Sequence, residues 1–206
     1  MHILEGHSMS TATLTTAPAS LARILPFAGF GAAAILIVNA LKRAEILPLS
    51  PATQLVAPVG QMFSIALIIG IFVAVAALRR RLGSIGVVLY VGSLVGLAGV
   101  EFVINLVFPY VDAETIPQLL AGPLGIAFTV ASITFLVGTV VFYIALWRVS
   151  GSPKLAILVI VVSSIPIALR MAFPELVLQL ALVGLAVGIA LLALWALRLP
   201  RASSAN

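Results

Sequence analysis

The sequence predicts an all-α fold: a polytopic helical bundle in a membrane, with six transmembrane helices arranged as three hairpins. Three observations carry this expectation. Of the 206 residues 63% are hydrophobic and 8% charged, whereas a soluble domain is about half apolar and a quarter charged. Mean hydropathy is +1.28, so the chain's solvent is mostly lipid. The apolar residues also gather in six runs, each near or above the roughly 18–20 residues that a helix needs to cross about 30 Å of hydrocarbon.

Residues 1–20 hold few large apolar side chains and are rich in Ser, Thr and Ala. Such a segment cannot bury enough surface to order itself, which predicts a disordered tail. Arg23 precedes a run too long for a signal-peptide core, so the first span is expected to be retained. The membrane domain then covers residues 21–199, followed by a short C-terminal tail over 200–206. Its runs are Ile24 to Leu41, Ala57 to Leu78, Ile85 to Phe108, Leu119 to Trp147, Leu155 to Ala172 and Leu176 to Leu197. Helix is the expected state for each, because an open strand would leave backbone groups unsatisfied in lipid. The fourth run is overlong, and Gly122-Pro123 marks its true start or a kink. Phe173-Pro174-Glu175 separates the last two runs with a tight reversal. Pro166 removes a helix hydrogen bond in the fifth run and should kink it, with Ser163 and Ser164 placed to satisfy freed carbonyls.

Basic residues set the orientation. Assigning loops to alternate sides places Arg23, Arg79, Arg80, Arg81, Arg148, Lys154, Arg198 and Arg201 on one face, and Lys42, Arg43 and Arg170 on the other. The richer face is expected in the cytoplasm, which puts both termini inside a multi-pass protein of the cell membrane. Net charge of +5 is therefore a topology signal, and nucleic acid is not an expected partner.

A repeat is visible within the chain. Ala44-Glu45-Ile46-Leu47-Pro48 recurs as Ala113-Glu114-Thr115-Ile116-Pro117, and the same offset carries Ala76 and Arg79 onto Ala145 and Arg148. The expected arrangement is of parallel hairpins rather than the inverted repeats of many transporters. Two G-x-x-x-G pairs, Gly92 with Gly96 and Gly184 with Gly188, are expected to form helix packing faces, since small residues let backbones approach where lipid supplies no hydrophobic drive.

Polar groups inside the runs are few. Glu101 is the sole carboxylate well within one. Asn105 lies four positions on and therefore on the same helical face, so the two can share a partner. Arg170, near the end of the fifth run, is the candidate cation for Glu101; otherwise Glu101 is a neutral hydrogen-bonding group and Arg170 snorkels to the headgroups. Asn39, Gln61 and Gln179 are single amides near span ends, where hydrogen bonding between helices is expected.

Catalytic constellations are missing. His2 and His7 both lie in the tail and cysteine is absent, so no span supplies a haem ligand, a zinc site, a thiolate or a Ser–His pair. No aspartate lies within a span. The serine of Gly92-Ser93-Leu94-Val95-Gly96 is not centred as a nucleophile motif requires. No enzymatic activity, cofactor or metal is expected.

Six short-looped spans, cytoplasmic termini, hairpin-like repeats and the Glu-Asn face together resemble uncharacterised bacterial six-span integral membrane proteins, over residues 21–200. That resemblance implies a helical bundle and carries no functional residues across. Two functions remain open. One is a noncatalytic accessory or structural protein that packs in the lipid bilayer with itself or another membrane protein. The other is a small transporter or channel that uses Glu101 for proton or cation coupling. Short loops and few polar residues favour the first; a polar cavity converging on Glu101 and Asn105 would favour the second.

Overall fold

The computed structural model describes residues 19–199; most of the expected N-terminal tail, with His2 and His7, and the C-terminal segment with Arg201 lie outside the described residues. Seven α-helices follow in order: α1 Ala19–Arg43, α2 Pro51–Ala74, α3 Arg81–Leu106, α4 Thr115–Ala121, α5 Pro123–Trp147, α6 Lys154–Ala168 and α7 Glu175–Ala196. Single 3₁₀ turns occupy Ala76–Arg79, Phe108–Tyr110 and Arg170–Ala172.

Five helices, α1, α2, α3, α5 and α7, are long and apolar enough to cross a membrane. The fifth apolar run is shorter than expected. With 15 residues, α6 rises only roughly 22 Å, because Pro166 lies near its end and the chain tightens after Leu169 into the turn Arg170–Ala172. Pro166 denies Val162 its helical partner, yet the serine hydroxyl that turns back, on Ser164, donates to the Ile160 carbonyl (2.8 Å). Of the two readings of Gly122-Pro123 in the overlong fourth run, the true start is the one observed. Leu119–Ala121 belongs to the separate helix α4, and Gly122 ends it before Pro123 opens α5.

Each helix of this set packs on its chain neighbour, α4 lies against α5, and α7 closes on α1. The result is a ring in the order α1, α2, α3, α5, α6, α7. Chain direction alternates around it. At one end Arg43, closing α1, meets Glu175, opening α7; at the other, Trp195 Nε1 donates to the Gly151 carbonyl between α5 and α6 (2.8 Å). Six helices in a ring leave a central space about one helix, roughly 10 Å, across. At the Trp195 end it is filled by Leu25, Ile71, Leu78, Phe142, Leu146, Ile160 and Leu192, each at most 1% exposed. At the Arg43 end it is not. The outer faces are apolar, with Val88, Ile126, Leu155 and Leu180 all more than 60% exposed, the pattern expected of a surface that meets lipid rather than water.

Helices α3 and α5 approach backbone to backbone. A Cβ on Gly86 would lie 2.7 Å from Phe142 Cα, and one on Gly138 would lie 2.6 Å from the Tyr90 nitrogen. This contact seats Tyr90 among Phe135, Phe142 and Tyr143, with ring centroids 5.8–5.9 Å away. Gly92 is not part of it. It stands six residues beyond Gly86, about 240° around the helix, and a Cβ there would meet nothing within 4 Å. Gly96 faces Ala131 at 3.2 Å, while Gly184 and Gly188 lie against Ser163 and Ile160 of α6.

The repeated pentapeptides fold differently. Glu45 has φ 57° and ends α1 in a Schellman turn, with its own N–H donated to the Lys42 carbonyl and that of Ile46 to Leu41 (both 3.0 Å). Glu114, its counterpart, is right-handed (φ −71°) and precedes α4. The first copy stops a helix and the second starts one.

Two substitutions test these contacts. Gly138→Ala should destabilise the bundle by about 1–3 kcal/mol through backbone crowding, whereas Gly92→Ala should leave the unfolding midpoint in mixed micelles unchanged. Glu45→Gly should stabilise by about 1 kcal/mol, because it relieves a left-handed conformation that costs a residue with a Cβ roughly that much.

Candidate functional site

The unfilled half of the ring is a cavity of about 310 Å³ to which all six ring helices contribute side chains. Its polar groups come from helix ends. The Schellman turn after Arg43 stops α1 where Lys42 faces the ring interior. Ser50 then caps α2: its Oγ accepts from the Thr53 N–H (3.3 Å), and its own N–H donates to Thr53 Oγ1 (2.9 Å). This box, with Pro51 fixing the first turn, presents the Thr53 carbonyl to Lys42 Nζ at 2.9 Å.

Lys42 Nζ also donates to Asn105 Oδ1 at 2.7 Å. Asn105 Nδ2 donates in turn to Glu101 Oε2 (2.8 Å) and to the Glu101 carbonyl (2.9 Å). The ammonium can only donate, so the amide must turn its oxygen to Lys42 and its nitrogen to Glu101. Asn105 thus bridges a cation on α1 and an acid on α3 that do not touch. Such an arrangement spreads the pair's attraction over two charge-assisted hydrogen bonds, each stronger than a neutral one.

Among the described residues Arg170 makes no direct hydrogen bond to Glu101, although its charge acts on that carboxyl. It lines the same cavity and its charge is felt by Glu101, Glu175 and Arg43, but among the described residues it forms no ion pair. The ion pair at this end is Arg43 with Glu175, a fork in which Nε and one terminal nitrogen each lie 2.7 Å from a carboxylate oxygen. Gln179, one turn further on α7, donates to the Arg43 carbonyl at 3.1 Å. These bonds fasten α7 to α1 and close the ring. Asn39 and Gln61 line the cavity wall.

Below the polar rim the walls are mainly apolar, formed by Leu94, Leu97, Phe135, Leu182, Leu185 and Ile189, with Gln61 and Ser64 the polar exceptions on α2. Tyr90 lies at the floor. Beneath it the hydroxyls of Thr139 and Tyr143, on residues with no exposed surface, cluster with that of Tyr90. Together the three hydroxyls form a polar station inside the filled half of the ring.

Sequence reasoning missed Lys42 and Tyr90. Lys42 reads as an orientation charge because it ends an apolar run. Its spacing carried the missing signal: Ile35, Asn39, Lys42 and Arg43 stand at i, i+4, i+7 and i+8, a single helical face. The chain matches no protein family, no curated protein and no solved structure.

Asn105→Leu should cost about 1–3 kcal/mol, since it leaves two ionisable groups without their shared partner. A double-mutant cycle of Arg43→Gln and Glu175→Gln should give a coupling of only about 0.2–1 kcal/mol, because those side chains are 33% and 50% exposed and water screens them. Unfolding in denaturing mixed micelles measures both.

Proposed function

We propose that this chain is a noncatalytic multi-pass membrane protein whose ring crosses the bilayer six times and carries a small solute through the central cavity, with Glu101 as its proton- or cation-coupling group. The single observation behind this reading is the cavity itself, which converges on Glu101 and Asn105 and draws on every ring helix. An accessory protein has no use for such a space. Each void costs packing energy, and a buried polar cluster is tolerated in a membrane protein chiefly where it meets substrate or ions.

In this reading α6 spans with the help of the turn Arg170–Ala172 and its flanks, as a short helix does by local thinning of the bilayer. The basic clusters Arg79-Arg80-Arg81 and Arg148 with Lys154 lie on the cytoplasmic side, at the filled end. The cavity therefore faces outward, and the filled half is the closed gate of an outward-facing carrier. Tyr90, Thr139 and Tyr143 supply the next polar groups along the way in. The kinship with uncharacterised bacterial six-span proteins belongs to the same proposal.

A second reading, association with a membrane partner or a second copy, draws on the exposed face of α3 where Gly92 and Gly99 have open space beside them. It is compatible with the first.

The natural absence of cysteine makes single-cysteine labelling free of background. Thr115→Cys and Ser64→Cys, at the loop and in the cavity, should react with a membrane-impermeant thiol reagent from the external face of sealed vesicles. Ile71→Cys, in the filled half, should react only from the cytoplasmic face and slowly, as the carrier alternates. If Thr115→Cys reacts only after the cytoplasmic face is opened, the orientation is wrong. If Ile71→Cys is inert from both faces, carriage is wrong. In proteoliposomes under an imposed membrane potential, proton uptake should be lost in Glu101→Gln while its unfolding midpoint stays within ~0.5 kcal/mol of the parent, the range of substitutions that keep local contacts.

A further inference from the structure

We propose that the cavity takes an anionic amphiphile, a single apolar chain with a carboxylate or phosphate head, and this rests on the reading of the cavity as a solute site. Its two halves differ in chemistry. From Glu101 to Tyr90 is eleven residues of α3, or roughly 16 Å along the helix axis, and over that depth the wall is made mainly by Leu94, Leu97, Phe135, Leu182, Leu185 and Ile189, with Gln61 and Ser64 as the polar groups on the α2 side. A wholly polar solute would leave this wall wet. An alkyl chain covers it and gains the burial.

The rim selects the sign of the head. Three cations, Lys42, Arg43 and Arg170, stand against two carboxylates, Glu101 and Glu175. Arg43 and Glu175 are spent on each other (2.7 Å), and the Glu101 carboxyl is occupied by Asn105 (2.8 Å). Lys42 gives two of its donors to neutral oxygens, those of Thr53 and Asn105. Arg170, whose planar fork matches a carboxylate or a phosphate bidentately, has no ion pair among the described residues and lines the cavity. Besides the neutral amides of Asn39 and Gln61, the groups with donors to spare in the cavity are cationic. An amine head would meet Arg170 and Lys42 before it reached Glu101. An anionic head sits between them, with its chain directed toward Tyr90.

The test is saturable binding of radiolabelled dodecanoate to the full chain in phosphatidylcholine nanodiscs, with empty nanodiscs subtracted. Dodecyl phosphate should compete, while acetate and dodecyltrimethylammonium at equal concentration should not. Arg170→Gln and Lys42→Gln should each weaken binding roughly tenfold, as expected for loss of one charge-assisted contact. Arg170→Lys should recover part of the affinity, which separates charge from folding. Leu185→Trp, which fills the wall, should abolish binding without lowering the unfolding midpoint. If dodecanoate competes with dodecyl phosphate only weakly, the phosphate head is the better ligand and the class stands. If dodecyltrimethylammonium binds as well as or better than dodecanoate, the sign of the head is wrong, and if acetate competes equally, the chain has no site; either result overturns the proposal. If Ser64→Cys is labelled but no amphiphile binds, the proposal falls while the cavity reading survives. If Ser64→Cys is also inert, both fall.

Discussion

A ring of six helices must decide what to do with its centre. Helices that pack on their two neighbours enclose a space as wide as another helix, and no described residue threads an element through it. The structure resolves the problem in halves. At one end, leucine, isoleucine and aromatic side chains reach inward and meet; at the other, the inward positions carry Lys42, Asn105, Glu101 and Arg170. Close-packed apolar side chains interdigitate, whereas charged side chains hold one another at hydrogen-bonding distance through a bridging amide. The filled half and the cavity are consequences of that single difference in side-chain chemistry.

Closure of the ring depends on α1 and α7, the helices most distant in sequence. Their seam is held at its open end by the Arg43–Glu175 fork and the Gln179 bond to the Arg43 carbonyl. Below this the contact is tight: a Cβ on Gly29 would lie 2.5 Å from Ala193 Cβ. Small residues thus do the packing and polar residues set the register, the division expected where lipid offers no hydrophobic drive between helices. The same division recurs between α3 and α5, where Gly86 and Gly138 bring the backbones together and the Tyr90 cluster fills the space beside them.

The polar rim is economical in its chemistry. Lys42 and Glu101 sit on different helices, and one amide serves both, so neither charge needs a direct partner. Because the amide's orientation follows from its neighbours, the bridge specifies the relative height of α1 and α3. The strained backbone at Glu45 belongs to the same construction: it stops α1 immediately after the two cations, at a helix C-terminus where the helix dipole favours positive charge.

Composition, run length and punctuation determined much of this architecture. Hydropathy marked the apolar helices, Gly122-Pro123 marked the boundary between α4 and α5, and Pro174-Glu175 marked the start of α7, because backbone chemistry at proline and glycine is local. The shared face of Glu101 and Asn105 was equally legible, since helical periodicity places i and i+4 together. Three matters were not. Which glycines pack depends on the phase of a helix against its neighbour, and so Gly86 and Gly138 serve where Gly92 does not. A repeated pentapeptide cannot reveal whether its glutamate will end one helix or begin another, because that is settled by the chain on either side. The partner of Glu101 was decided by the ring: it carried Lys42 from one helix end to within 2.7 Å of Asn105 on another, a meeting across 63 residues that only tertiary packing determines.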